Sequence, residues 1–180
     1  MQILRRNKIK KLKQQIVFLL FLIFQVSYSQ EIKISKNSLS KVFEQTIIQT
    51  KKGIIQTDSI PWFTDNSNDV YFKNDTITFV NAKTFKRDFC KIINWTFYKK
   101  DSFVIGNADY CNEPPSKRAI KSTDWINLKN YNYENDLILE LYNQNKLIEK
   151  FKVLSIQKNQ SIYNADQTDY VLKLLRIKLK

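Results

Sequence analysis

The chain has no histidine among its 180 residues and only two glycines, Gly53 and Gly106. Without histidine, Ser-His-Asp and Cys-His nucleophilic systems are excluded, along with most catalytic zinc sites. Two glycines so far apart cannot build a glycine-rich phosphate loop. With only three prolines as well, the composition excludes a collagen-like or linker-rich polypeptide. Cysteine is equally scarce: Cys90 and Cys111 stand alone, and no C-x-x-C supports thiol redox chemistry. Acids such as Asp65, Asp69, Glu113 or Glu140 leave a paired-carboxylate hydrolase open, but their spacing picks out no pair. The expectation is a non-enzyme with neither cofactor nor metal.

What the chain does carry is a distinctive beginning. Arg5, Arg6, Lys8, Lys10, Lys11 and Lys13 precede an apolar run, Ile16-Val-Phe-Leu-Leu-Phe-Leu-Ile-Phe24, and a polar exit, Gln25-Val-Ser-Tyr-Ser29. Basic, apolar, then small-x-small is the order of a secretory signal peptide, with Ser27 and Ser29 at the small positions and cleavage before Gln30. An uncleaved anchor is the alternative, but a spanning helix needs roughly 20 apolar residues. The stretch from 16 to 26 supplies about half of that. The expected organisation is a signal peptide, 1–29, followed by a single β-rich exported domain, 30–180. That domain would be secreted or periplasmic, with no stable membrane span after processing.

Export changes how the charge is read. Six of the 30 basic residues lie in the signal, so 24 face 17 acids in the processed chain, a net +7 rather than +13. A moderate basic excess favours contact with acidic polymers or headgroups, while an exported protein is a poor partner for nucleic acid. After cleavage about 150 residues remain, enough for one ordinary domain with its own core.

Hydrophobic residues recur with period two, broken every ten or so positions by Asn, Asp, Lys or Gly. Ile77 and Phe79 alternate with threonines; Ile93, Trp95 and Phe97 alternate with Asn94 and Thr96; Phe103 and Ile105 follow. Leu137, Leu139 and Leu141 form another such face, as do Phe151 and Val153, and finally Leu175, Ile177 and Leu179. Strand side chains point alternately to opposite faces, so these segments predict strands with one dry side. That pattern belongs to antiparallel sheets, and many short strands point to an all-β meander forming a small barrel or sandwich. Residues 38–48 read two ways. Leu39, Val42, Phe43 and Ile47 have near-helical spacing behind Ser38, but the echo Ile47-Ile-Gln-Thr50 and Ile54-Ile-Gln-Thr57 around Gly53 favours a strand and hairpin. The terminal segment from Tyr170 could be an amphipathic helix; its alternation favours a closing strand.

In an exported chain an isolated cysteine pair is ordinarily a disulfide. The strands around Lys99-Lys100-Asp101 should form a hairpin whose opposed positions sum to a constant. A two-residue turn gives 201, which matches Cys90 and Cys111. A three-residue turn gives 200, which puts Trp95 and Phe97 on one face with Phe103 and Ile105 but leaves the cysteines one place out. A bulge between the strands and the cysteines would reconcile the two. Past Cys111, Pro114-Pro115 cannot donate to a ladder and reads as a connector.

Aromatic residues are plentiful, and large rings fill β interiors efficiently. Some of them could instead line a cavity; Trp95, Phe97, Phe103 and Ile105 are the candidate ligand-binding residues. Asp75-Thr-Ile-Thr-Phe79, Ile93-Asn-Trp-Thr-Phe97 with Phe103-Val-Ile105, and Phe151-Lys-Val153 resemble the small secreted lipocalin-like domains common among Bacteroidota, over residues 70–180. Ile60-Pro61-Trp62 stands where true lipocalins open with Gly-x-Trp. The resemblance implies a β meander around an interior that takes a small apolar or amphipathic ligand. The alternative is a structural or interaction module of the cell envelope, meeting a protein or polysaccharide through a sheet edge or basic face.

Overall fold

The computed structural model describes residues 29–47, 61–82, 90–111, 116–118, 120–161 and 167–179, and the chain divides into two units, Met1–Gln30 and Glu31–Lys180. Residues 1–28 of the expected signal peptide, the expected hairpin around Gly53 and the Pro114-Pro115 connector lie outside the described residues.

In chain order the elements are β1 (Ser29–Glu31), α1 (Lys36–Gln45), β2 (Trp62–Asp65), α2 (Val70–Lys73), β3 (Thr76–Asn81), β4 (Lys91–Lys99), β5 (Ser102–Asp109), β6 (Ser116–Lys117), β7 (Trp125–Tyr133), β8 (Asp136–Asn143), β9 (Lys146–Gln160) and β10 (Thr168–Arg176). Eight of the strands close on themselves in the order β9-β10-β3-β2-β4-β5-β7-β8, with β8 pairing back to β9, and every pairing is antiparallel. The expected choice between barrel and sandwich resolves as a barrel. Short β6 lies outside the ring, against β5.

Alternation places the core. Ile93, Trp95 and Phe97 on β4 are buried with Leu137, Leu139 and Leu141 on β8 and with Phe151 and Val153 on β9. Tight turns hold the meander: Gln144 and Asn145 between β8 and β9 both have left-handed backbone (φ 46° and 67°), which matches the twist of a two-residue hairpin. At Gly106, opposite Asn94, an added Cβ would run into the Asn94 side chain.

Two expectations are corrected, and the expected offset in the cysteine hairpin is found with a second one beside the turn. Residues 36–45 form a helix rather than a strand, because Ser35 and Ser38 cap it reciprocally (Ser38 N–H to Ser35 Oγ 3.1 Å, Ser35 N–H to Ser38 Oγ 3.0 Å). Leu39, Val42 and Phe43 then share one buried face. The closing strand is present, but its dry face is Leu172 and Leu174, not Leu175, Ile177 and Leu179. Apolar residues on both sides made the phase ambiguous; register with β3, Leu172 opposite Phe79 and Leu174 opposite Ile77, decides it. In the cysteine hairpin the body of the ladder sums to 200, Trp95 opposite Ile105, whereas Lys99 pairs with Ser102 across a two-residue turn. The register therefore shifts by one at Tyr98, next to the turn, and by one again past the Lys91–Asp109 rung. There Tyr110, its amide 2.6 Å from the Cys90 carbonyl, is the extra residue before Cys111, the expected offset between strands and cysteines. Cys90 and Cys111 are bridged just past the last rung, Lys91 opposite Asp109, with Cα atoms 4.7 Å apart.

Candidate binding surfaces

The four residues expected to contact a ligand line the barrel interior. Trp95, Phe97 and Phe103 are buried, and Ile105 is half-buried against the same core. They are packed ring against ring. Trp95 lies 4.2 Å from Phe79 and 4.6 Å from Phe103, centroid to centroid; Phe97 lies 5.0 Å from Phe103 and stacks on Phe43 of α1 at 4.3 Å. At the other limit Phe79 meets Tyr71 of α2 at 6.2 Å. Strand directions put these two helices at opposite ends, since β4 runs toward α1 while β10, two strands beyond its neighbour β2, runs toward α2. A column of rings thus extends from one helix to the other. Offset and edge-to-face contacts of this kind are what an aromatic core prefers.

The α2 end adds a polar knot. The Tyr71 hydroxyl donates to Glu149 Oε2 at 2.6 Å, and Arg176 NH2 lies 3.2 Å from Glu149 Oε1. Arg176 also donates to the carbonyls of Tyr71 (2.7 Å) and Phe72 (2.9 Å), which the short helix leaves without helical partners. Its guanidinium lies over the Tyr71 ring at 5.2 Å. Burial raises the Glu149 carboxyl, and Tyr71 and Arg176 offset this only in part. Burial, followed by the Glu149 charge, pushes the Tyr71 hydroxyl well above its ordinary range. The buried Trp95 indole N–H has no hydrogen-bond partner among the described residues.

Outside, the wall facing away from Ile126, Leu128 and Leu139 is wet and rich in aromatics. Tyr131 and Tyr142 hydroxyls both donate to Glu140 at 2.8 Å, and Lys150 Nζ lies 3.1 Å from the same carboxylate. Burial would raise Glu140, but these three donors hold it below its ordinary range. Trp125 is 43% exposed and Tyr133 62%. Trp125 is held in place: Tyr98 meets its ring edge-on at 5.2 Å, and Asn143 Nδ2 donates to its carbonyl at 3.0 Å. The turn before it is pinned by Arg118 to Asp124 at 2.7 Å.

The barrel's stagger makes a roomy groove. β5 pairs with β7 only at Ser102, Phe103 and Val104, so β7 continues past the start of β5 with its edge facing α1. Between them lies a cavity of about 770 Å³, whose wall includes Lys36 and Lys41 of α1, Lys100 of the β4–β5 turn, and Lys129 and Tyr131 of β7. Its carboxylates are Glu44 and Asp101, and Asn37, Ser40 and Asn130 supply amides and a hydroxyl. A second groove, about 380 Å³, lies between α2, β2 and β3, with Phe63, Val70, Tyr71 and Ile77 among its walls.

Of the acids considered for hydrolysis, Asp65 accepts from the Ser67 amide at 2.8 Å, Asp69 lies 4.0 Å from Lys73, and Glu140 is on the opposite wall. Glu113 lies outside the described residues. Among the described residues no three His, Cys, Asp or Glu side chains gather as a metal site would require. The lysine groove and the Arg176 knot were missed from the sequence. Ile126 and Leu128 alternating with Asn127 and Lys129 was the available signal for β7. Compared with family profiles, curated proteins and solved structures, the chain matches none.

Proposed function

We propose that the protein is a non-enzymatic, exported β-barrel that works through its outer surface, as an interaction module of the cell envelope meeting a polysaccharide or a protein. The observation that carries this reading is the ring-filled interior closed by a helix at each end: an occupied core leaves the outer wall and grooves as the surfaces for recognition. A closed ring of strands also removes the free edges of an open sheet. Export rests on the basic-apolar-small N-terminal pattern, and the Cys90–Cys111 bridge is compatible with it. Among the described residues no helix is long and apolar enough to cross a membrane.

A second reading keeps the small apolar or amphipathic ligand of a lipocalin-like domain but moves it to the groove beside α2, whose volume of about 380 Å³ falls in the range of ligand pockets. Native mass spectrometry of protein purified from its own host separates the two. The first reading expects the bare polypeptide mass; a stoichiometric small molecule would replace it with the second.

A further inference from the structure

We infer that the groove between α1 and β7 is a binding site for an acidic polysaccharide, one bearing uronate or comparable anionic groups. The inference rests on the surface-acting reading above and narrows it to one partner chemistry. Three observations converge on it. First, the groove is roomy, about 770 Å³, and its wall is shared by α1, the β4–β5 turn and β7. Second, its charge is lopsided: Lys36, Lys41, Lys100 and Lys129 face only Glu44 and Asp101. None of these lysines lies within 4.0 Å of a carboxylate among the described residues, whereas Lys150 and Lys152 nearby are paired, to Glu140 at 3.1 Å and Asp136 at 2.7 Å. Four ammonium groups against two carboxylates leave the groove with a positive excess that a bound polyanion would neutralise.

Third, what lies between the charges suits a sugar rather than a bare polyanion. A sugar ring presents hydroxyls around its rim and C–H groups on its faces. Asn37, Ser40 and Asn130 offer the groove amide and hydroxyl partners, and Tyr131 offers a ring. From Tyr131 the outward side chains of β7 continue to Trp125, roughly 20 Å away at the rise of a strand. Lys129 lies between them, its ammonium 4.4 Å from the centre of the Tyr142 ring. Because Trp125 is exposed yet fixed by Tyr98 and Asn143, it offers apolar area at little ordering cost.

The test is affinity electrophoresis of the purified protein in gels containing polygalacturonate, neutral dextran or polyglutamate, alongside K36Q/K41Q/K129Q and Trp125→Ala variants. The expected result is strong retardation by polygalacturonate, little by dextran, and less by polyglutamate. The triple lysine variant should bind polygalacturonate roughly ten- to a hundredfold more weakly. Trp125→Ala should bind it several-fold more weakly, and both variants should keep the wild-type melting profile. No retardation by polygalacturonate, equal retardation by polyglutamate, or undiminished binding by the triple variant would each overturn the site. The surface-acting reading would survive any of these, because it stands or falls on the bare mass of the native protein.

Discussion

At its α1 end the barrel is closed by hydrocarbon: Phe43 lies on Phe97 and edge-on to Trp62, 5.6 Å away. At the α2 end the same job is done by Tyr71, Glu149 and Arg176, a carboxylate and a guanidinium that the strand alternation turns inward. The two closures should differ in how they fail. An apolar plug contributes by area and fit, is indifferent to pH and salt, and collapses when volume is removed. A buried ion pair contributes little net stability while intact, because desolvation offsets the attraction, yet it leaves an uncompensated charge when one partner is lost.

The largest effect should come from the apolar end. Phe43→Ala removes a buried ring touching two others and should cost about 3–5 kcal/mol in denaturant unfolding. A loss below about 1 kcal/mol would mean that α1 is a loose cover rather than part of the core. Next is the bridge, which stands outside the comparison and calibrates it. Cys90 and Cys111 are 21 residues apart, so replacing both by serine should cost about 3 kcal/mol in the chain-entropy model. At the polar end, Arg176→Met strands Glu149 and should cost about 2 kcal/mol, below the usual range for buried pairs because about a fifth of each side chain is exposed. The double variant with Glu149→Gln should recover part of that loss. A double variant worse than the single would show that the pair is a net stabiliser and erase the contrast between the ends.

The sequence displayed the apolar end better than the polar one, for a physical reason. Period-two alternation identifies which residues of a strand are buried, so Trp95, Phe97, Phe103 and the β8 leucines were legible as a dry face. That these rings fill the interior, and do not line a hollow, depends on how tightly eight strands close and on what enters from the ends, which no local pattern encodes. α1 was obscured by a competing echo of Ile-Ile-Gln-Thr, and its Ser35–Ser38 cap is a shorter-range cue than the alternation. Arg176 was hidden because Leu174-Leu175 makes β10 apolar on both sides at that point, so periodicity could not fix the phase. The lysine groove was least legible, since Lys36, Lys41, Lys100 and Lys129 meet only through the stagger of β5 against β7.

The smallest expected effect tests the comparison most directly, because it distinguishes an inward glutamate from an outward one. Burial raises Glu149 above the ordinary value of 4.5, while the hydroxyls of Tyr131 and Tyr142 and the ammonium of Lys150 hold Glu140 below it. Linkage gives the two residues opposite signs. Between 4.5 and its raised folded value, Glu149 binds more proton in the native state than in the unfolded chain. Its contribution is therefore fully present below about pH 4.5 and fades as pH rises through the folded value. Glu140 is stabilising above about pH 4.5 and loses that contribution as pH falls through its lowered folded value. Stability measured in urea from pH 3 to 8 should then respond in opposite directions to two isosteric changes. Glu149→Gln should remove a decline with rising pH, leaving the variant relatively more stable near neutrality than wild type. Glu140→Gln should remove an acid-side loss, with its cost appearing at neutral pH. The same sign for both would mean that the α2 end admits enough water to solvate Glu149 as freely as the outer wall solvates Glu140, and the polar closure would not be a closure.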